Sequence, residues 1–305
     1  MGTQLVGVML CSLQSSLGEA SLLALAARYP GRGAGAISAW SSGTGAAGLF
    51  GFFWVWFFTV ALGWPLVAMQ SVALCALPPL YAACFVGLLR RAPPDDGDAT
   101  ATAPAEVRMT GCERLRFGLG LWPVTGALFA VYFSEYALQS GVWAAMGFPS
   151  PRRARRRDRF YLYANWLYQA GVLASRSSGF LVARPIPRRL LWAMAIAQCL
   201  LLGFFALDAA DHFWYDTSLY AMCFVVGLFG GAVYVHGFRL LSGSGAAATV
   251  ELAMPIGSFA SDSGIATGNA VGLFLQGCLY DANRLKGATL QHVSVCSNGI
   301  HPFAR

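Results

Sequence analysis

The chain has 305 residues, of which 56% are hydrophobic and only 11% are charged, and its formal net charge is +7. Soluble domains carry roughly 25% charged residues because polar groups must cover their surface, so this composition excludes a soluble globular domain. The chain is predicted to be an integral membrane protein that crosses a bilayer several times.

The hydrophobic residues come in long blocks, which predict the membrane-spanning helices in chain order. A helix needs about 20 apolar residues to cross a hydrocarbon core of about 30 Å. The qualifying blocks are residues 4–27, 43–62, 65–89, 117–138, 190–207, 218–238 and 252–280. A shorter, aromatic block at 160–175 lies between basic flanks and is counted as a further span. The predicted fold is all-α, a polytopic helical membrane protein with about eight transmembrane helices.

These blocks divide the chain into four regions. Residues 1–89 hold three predicted spans, and residues 90–116 are predicted to be a flexible linker because they lack the apolar content to fold alone. Residues 117–280 hold about five further spans, and residues 281–305 form a polar tail. Basic residues near span ends favour the cytosolic side, which places the linker in the cytosol. In this topology the run Arg152–Arg159 lies on the opposite side, as a solvated loop or as a site for phosphate-bearing head groups.

Three carboxylates lie inside predicted spans, namely Glu19, Glu135 and Asp262. A charge at mid-membrane costs about 2.5–3.5 kcal/mol on insertion scales, so such residues usually have a function. Hydroxyl or glycine neighbours surround all three, which indicates a polar interior rather than a lipid-facing surface. Two interpretations stay open: the acids hold helices together through hydrogen bonds, or they line a substrate or proton pathway. We favour the pathway.

Gln169 and Arg176 are added to the candidate pathway as polar residues in or beside a span. Arg176 could form an anion site, or it could anchor the cytosolic end of its helix by snorkelling, which is the more common role of a lone arginine at a span end. His236 could sense pH, although a packing role is more common for such a histidine.

The segment Gly43–Gly48 spells G-x-G-x-x-G, but that fingerprint requires a preceding strand and a βαβ unit. Here it opens a predicted transmembrane helix, so it indicates close helix packing or a kinked, cavity-lining helix. No HExxH, Walker A or kinase signature occurs, and no CxxC pair indicates a disulfide framework or a zinc site. We therefore predict no enzyme activity, no cofactor and no metal. An intramembrane hydrolase using Glu19 and Glu135 as acid and base is the remaining enzymatic alternative.

Seven further blocks are distinctive: Ser15–Glu19, Ala39–Gly48, Tyr132–Tyr136, Tyr168–Ser178, Gly227–Val235, Glu251–Met254 and Ser261–Ile265. In sequence and in order along the chain, these blocks resemble the battenin family. Together they are far more specific than any one of them alone. The first block resembles the family's fourth span, so about three N-terminal spans of the family are expected to have no counterpart here.

The resemblance implies a fold like the major facilitator superfamily, with two helical bundles around a central cavity, in the lysosomal or vacuolar membrane. It also implies a link to luminal pH homeostasis, basic amino-acid balance and export of glycerophosphodiesters. Our main hypothesis is a transporter of polar solutes in which Glu19 and Glu135 couple protons or bind cationic groups, supported by Asp262. The expected partners are membrane lipids, a small polar solute and protons, with no nucleic acid. The alternative is a non-transporting scaffold that regulates lysosomal pH and vesicle trafficking.

Overall fold

The computed structural model describes residues 2–27, 33–89, 109–146, 154–214, 216–243 and 247–286. Within these ranges all regular elements are helical, which confirms the all-α prediction. The helices are α1 (Gly2–Ala27), α2 (Gly33–Val55), α3 (Leu66–Cys84), α4 (Gly111–Gly120), α5 (Trp122–Ala137), α6 (Trp143–Ala145), α7 (Ala154–Leu181), α8 (Arg188–Asp211), α9 (Leu219–Ser242) and α10 (Ala247–Ala282). Helices α2, α3 and α5 continue into π-helical segments, at Trp56–Ala61, Phe85–Leu89 and Leu138–Val142.

Five helical segments are long and apolar enough to cross a membrane: Met9–Ala27, Ala34–Ala61, Leu66–Gly87, Arg188–Asp211 and Leu219–Ser242. A sixth results if α4 and the segment Trp122–Ala145, which meet at a bend of 65°, form one broken span. Helices α7 and α10, of 28 and 36 residues, are long enough but more polar, and both pack among the apolar helices. Each predicted hydrophobic block thus coincides with a helical segment, and the chain is a polytopic helical membrane protein.

Two predicted loops are partly helical. Helix α4 begins at Gly111, inside the predicted linker, because Thr110 and Glu113 form a capping box: the Glu113 carboxylate accepts from the Thr110 backbone N–H at 2.7 Å, and the Glu113 N–H donates to the Thr110 hydroxyl. The rest of the linker, residues 90–108, lies outside the described residues. Helix α7 begins at Ala154, so the loop interpretation of the Arg152–Arg159 run is wrong from that residue onward.

The apolar core of the described part has two clusters, and polar residues lie where the clusters meet. One cluster includes Leu138 of α5 and Val226 of α9, and the other includes Tyr132 of α5 and Val233 of α9. Glu135 lies between them and is 1% exposed. On α9 the corresponding residue between the clusters is Gly230, which faces the Glu135 carboxylate. The fold therefore holds a buried acid at the junction of two apolar layers.

One disulfide occurs that the cysteine spacing did not predict. Cys278 of α10 is disulfide-bonded, and none of the other described cysteines is its partner, because those six are free.

Helices α7 and α9 form the most extensive helix pair among the described elements. Their backbones approach closely because glycines face each other: Gly171 lies against the backbone of α9 at Leu228, and Gly227 lies against the Tyr168 carbonyl of α7. Small residues at membrane helix interfaces permit this approach. The pair places the polar residues of α7 against α9.

Gly227→Ala is expected to destabilise the chain by about 1–3 kcal/mol, because the added Cβ would overlap the Tyr168 carbonyl oxygen and force the helices apart. The readout is the thermal unfolding midpoint of the detergent-solubilised chain. The matched control is Gly203→Ala in α8, where no neighbouring atom lies within 4 Å of the added Cβ. Equal midpoints for the two variants would contradict the proposed close packing of α7 and α9.

Candidate functional site

Arg176 of α7 directs its guanidinium into the helix bundle. Its Nη1 donates to the Thr44 hydroxyl of α2 at 2.5 Å, and its Nη2 donates to the Tyr132 hydroxyl of α5 at 2.8 Å. Its Cζ lies 4.0 Å from the centroid of the Tyr234 ring of α9, which is a cation–π contact. The snorkelling interpretation is therefore wrong, because groups of three other helices bind this side chain inside the protein.

The hydroxyl of Tyr234 connects this arginine to the first predicted acid. It donates to Oε1 of Glu19 on α1 at 2.7 Å and accepts from Nε1 of Trp40 on α2 at 3.1 Å. Glu19 and Arg176 thus contact the same tyrosine, one at its hydroxyl and the other at its ring face. The two charges are close enough to interact electrostatically.

The second acid, Glu135 of α5, also interacts electrostatically with Arg176. Its Oε2 is buried and has no hydrogen-bond partner. A Cβ on Gly230 would overlap this oxygen, so the backbone of α9 covers the carboxylate directly. A buried carboxylate oxygen without a donor is costly, which is unusual for a residue whose role is to hold helices together.

The third acid, Asp262 of α10, is half-buried and accepts a hydrogen bond from the Ser16 hydroxyl of α1. It lies close enough to Glu19 for their charges to interact. All three predicted acids therefore converge on one region. We call this region the Arg176 cluster; its members are Glu19, Tyr132, Glu135, Arg176, Tyr234 and Asp262.

The Arg176 cluster holds three carboxylates and one guanidinium. When all are ionised, negative charge is in excess, and a proton or a cationic group would reduce the repulsion between the acids. In the described part of the chain, no group of three His, Cys, Asp or Glu residues is arranged to hold a metal ion.

Gln169 does not join the cluster. It lies seven residues before Arg176 on α7, which is about 10 Å along the helix. Its amide packs against Gly48 of α2. Gly45 of α2 packs against Leu173 and Arg176 in the same way, so the G-x-G-x-x-G segment brings α2 and α7 together, as the close-packing interpretation predicted.

The end of α7 beyond Arg176 is held by two residues of α9. His236 Nε2 and the Ser178 hydroxyl form a hydrogen bond at 3.1 Å. Arg239 donates to the carbonyl oxygens of Val182 and Ala183, both at 2.8 Å. His236 is 2% exposed, which agrees with a packing role. These bonds fix the helix end that carries Arg176.

The sequence pattern does not identify the neutral residues of this site, which are Tyr132, Tyr234, Thr44 and Trp40. Tyrosine, threonine and tryptophan in an apolar block have the same sequence pattern whether they face lipid, the core or a site. The only usable signal is that Tyr132 lies three residues before an intramembrane acid, which puts both on one side of a helix.

Comparison with known proteins identifies the family of the chain. A family model described as CLN3 protein matches residues 1–116 and 119–282. Battenin of Canis lupus familiaris is 32% identical over 260 residues, which cover 78% of this chain and 56% of battenin. Protein BTN1 of Yarrowia lipolytica is 32% identical over 307 residues, covering 93% of this chain and 75% of that protein.

A second fungal relative, protein btn1 of Schizosaccharomyces pombe, is 31% identical over 312 residues, covering 92% of this chain and 74% of that protein. The chain thus spans just over half the length of dog battenin and about three quarters of these two fungal relatives. No solved structure matches the chain significantly. The family match covers nearly all of the described helices and all residues of the Arg176 cluster, and the chain belongs to the CLN3 protein (battenin) family of membrane proteins.

Proposed function

We propose that this chain is a battenin-type transporter of the lysosomal or vacuolar membrane, which contributes to luminal pH homeostasis and exports polar solutes such as glycerophosphodiesters or basic amino acids. Transport is linked to protons, and the Arg176 cluster is where proton and solute bind. The observation that carries the proposal is that two intramembrane acids, Glu19 and Glu135, interact with one arginine that is bound by tyrosines, while a third acid, Asp262, lies beside Glu19.

The position of these acids favours transport over a purely structural role. Glu19 lies near the middle of the span Met9–Ala27, and Glu135 lies near the middle of the segment Trp122–Ala145. Each intramembrane charge costs about 2.5–3.5 kcal/mol to insert. Residues with this cost are usually retained because they have a function, and this chain has three of them. Transporter sites commonly lie at this depth, between two sets of helices.

The contacts of the cluster also join the two halves of the chain. Glu19 and Thr44 belong to the helices before residue 90, whereas Tyr234 and Arg176 belong to the helices after residue 116. Alternating access requires contacts between two sets of helices that can break and re-form around a fixed site. The Glu19–Tyr234 and Thr44–Arg176 hydrogen bonds are contacts of this kind. A proton or solute that binds Glu19 would compete with the Tyr234 hydroxyl for the Glu19 carboxylate.

The test is solute flux by the purified chain in proteoliposomes. Uptake of labelled arginine and of labelled glycerophosphocholine would be measured with and without an inward pH gradient, against liposomes without protein. We expect saturable uptake of at least one solute that increases with the gradient. Absence of flux from a chain shown to be folded would support the scaffold alternative. Microscopy of the tagged chain in cells tests the location, and exclusion from acidic compartments would contradict it.

A further inference from the structure

A glutamine of α8 lies at the same junction of the two apolar clusters as Glu135. On α8, Ala195 before Gln198 belongs to one cluster, and Phe205 after it belongs to the other. Gln198 is 0% exposed, and within the described part of the chain neither its Oε1 nor its Nε2 has a hydrogen-bond partner. A buried amide without any partner is costly and rare, so the role of Gln198 needs an explanation.

Gln198 and Glu135 lie at the same depth on neighbouring helices. Ser134, the residue before Glu135, donates its hydroxyl to the sulfur of Cys199, the residue after Gln198, at 3.2 Å. Opposite Glu135, α9 presents Gly230, which has no side chain that could bind the carboxylate. Glutamate and glutamine side chains each have three rotatable bonds, so rotamer changes can join the two groups without a movement of the helices.

Gln139 provides a second amide near the same carboxylate. It follows Glu135 by four residues, which places the two side chains about one turn apart on the same side of the helix. Its Nε2 is buried and has no hydrogen-bond partner among the described residues. The chain changes from an α-helix to a π-helix at Leu138, between the two residues, and such segments are frequent at functional sites. The unpartnered atoms are complementary, since two amide N–H donors lie near one carboxylate acceptor.

The ionisable groups around Glu135 do not supply this donor. Arg176 of α7, and Tyr132 and Tyr136 of α5, interact with Glu135 electrostatically. Asp262 of α10 interacts with Tyr136 and, as an acid, adds negative charge. No group in the described ranges donates a hydrogen bond to Oε2 of Glu135. The amides therefore offer what the charged and phenolic groups leave open.

We propose that Gln198 and Gln139 are positioning residues for Glu135, whose amide N–H groups bind the carboxylate when it is ionised and separate from it when it is protonated. An ionised carboxylate only accepts hydrogen bonds, and bonds to a charged acceptor are stronger than bonds to a neutral one. The amides therefore follow the charge of the acid. The inference rests on the proposed function, in which Glu135 binds protons, but its test observes the carboxyl group itself and needs no transport.

The experiment is infrared difference spectroscopy of the purified chain in detergent, titrated from acidic to alkaline pH. The C=O stretch of protonated Glu135 is identified by its absence from Glu135→Gln. Gln198→Met keeps an unbranched side chain of similar volume but removes both hydrogen-bonding groups. Because the variant loses a donor to the ionised form, we expect the protonated band to persist to higher pH, with its midpoint raised by about one pH unit. Gln139→Met should raise the midpoint in the same direction.

The matched control is Gln70→Met, since Gln70 is exposed on α3, and it should leave the midpoint unchanged. Equal midpoints in the unmodified chain and in the Gln198→Met and Gln139→Met variants would overturn the proposal, as would a Glu135 band that does not titrate. A higher unfolding midpoint of Gln198→Met with an unchanged band would mean that Gln198 only packs.

Circular dichroism and gel filtration would confirm that each variant is folded, and Gln139→Met decides the outcome if Gln198→Met does not fold. The two proposals fail separately. A shifted band without solute flux would reject the proposed transport and keep the role of the amides, whereas gradient-driven flux with an unshifted band would do the reverse.

Discussion

Arg176→Met is expected to lower solute flux by about 100-fold or more, because it removes two hydrogen bonds from a charged donor together with the cation–π contact. It also leaves Glu19 and Glu135 without the positive charge that both interact with. Removing one partner of a buried charged group costs about 3–5 kcal/mol, so the unfolding midpoint should fall as well. Flux in proteoliposomes and thermal unfolding in detergent would be measured on the same preparations.

Arg176→Lys separates the charge from the geometry. Lysine keeps the positive charge but cannot bind the Thr44 and Tyr132 hydroxyls with a planar fork, so flux should stay low while stability partly recovers. Arg184→Met is the matched control, since Arg184 is exposed between α7 and α8. Wild-type flux in Arg176→Met, or an equal loss of flux in Arg184→Met, would exclude Arg176 from the site.

Glu135→Gln separates the two interpretations of the intramembrane acids. If Glu135 carries protons, the amide should abolish the dependence of flux on the pH gradient. The unfolding midpoint should stay the same or rise, because a neutral amide is less costly to bury than a carboxylate with an unpartnered oxygen. Solute flux and the luminal pH of the vesicles, reported by a trapped pH indicator, measure the dependence on the gradient. Differential scanning fluorimetry measures the unfolding midpoint.

The opposite pattern would identify Glu135 as structural. A fall in the midpoint by the equivalent of about 2 kcal/mol with unchanged flux would mean that the carboxylate holds helices together. Gly230→Ala provides an independent check, because its Cβ would displace the same carboxylate without changing any charge. It should reduce gradient-driven flux in the same direction as Glu135→Gln.

The sequence predicted the acids of the site better than their partners. A charge in an apolar block is conspicuous, and its insertion cost predicts a buried, polar surrounding; Glu19, Glu135 and Asp262 therefore stood out. Tyr234 did not, although it contacts both Glu19 and Arg176. A tyrosine is compatible with lipid, core and site alike, and only the folded chain shows that Tyr234 contacts both Glu19 of α1 and Arg176 of α7.

Residues near helix ends were harder to interpret. Arg176 lies five residues before the end of α7, where snorkelling is usual, but the glycines of α2 and α9 bring polar groups within its reach. Glycine spacing predicted that helices would be close, but it did not predict which helices would meet. The start of α4 could have been predicted, because Thr110 and Glu113 have the capping-box spacing.

The most direct test of the account compares Glu19→Gln with Glu113→Gln in the proteoliposome assay, with and without an inward pH gradient. Both variants remove one carboxylate, but Glu113 is exposed on α4, where glutamine can keep the capping box. We expect Glu113→Gln to keep gradient-driven solute uptake, whereas Glu19→Gln should lose it and remain folded. Equal uptake by the two variants, with the same response to the gradient, would contradict a transport site at the Arg176 cluster.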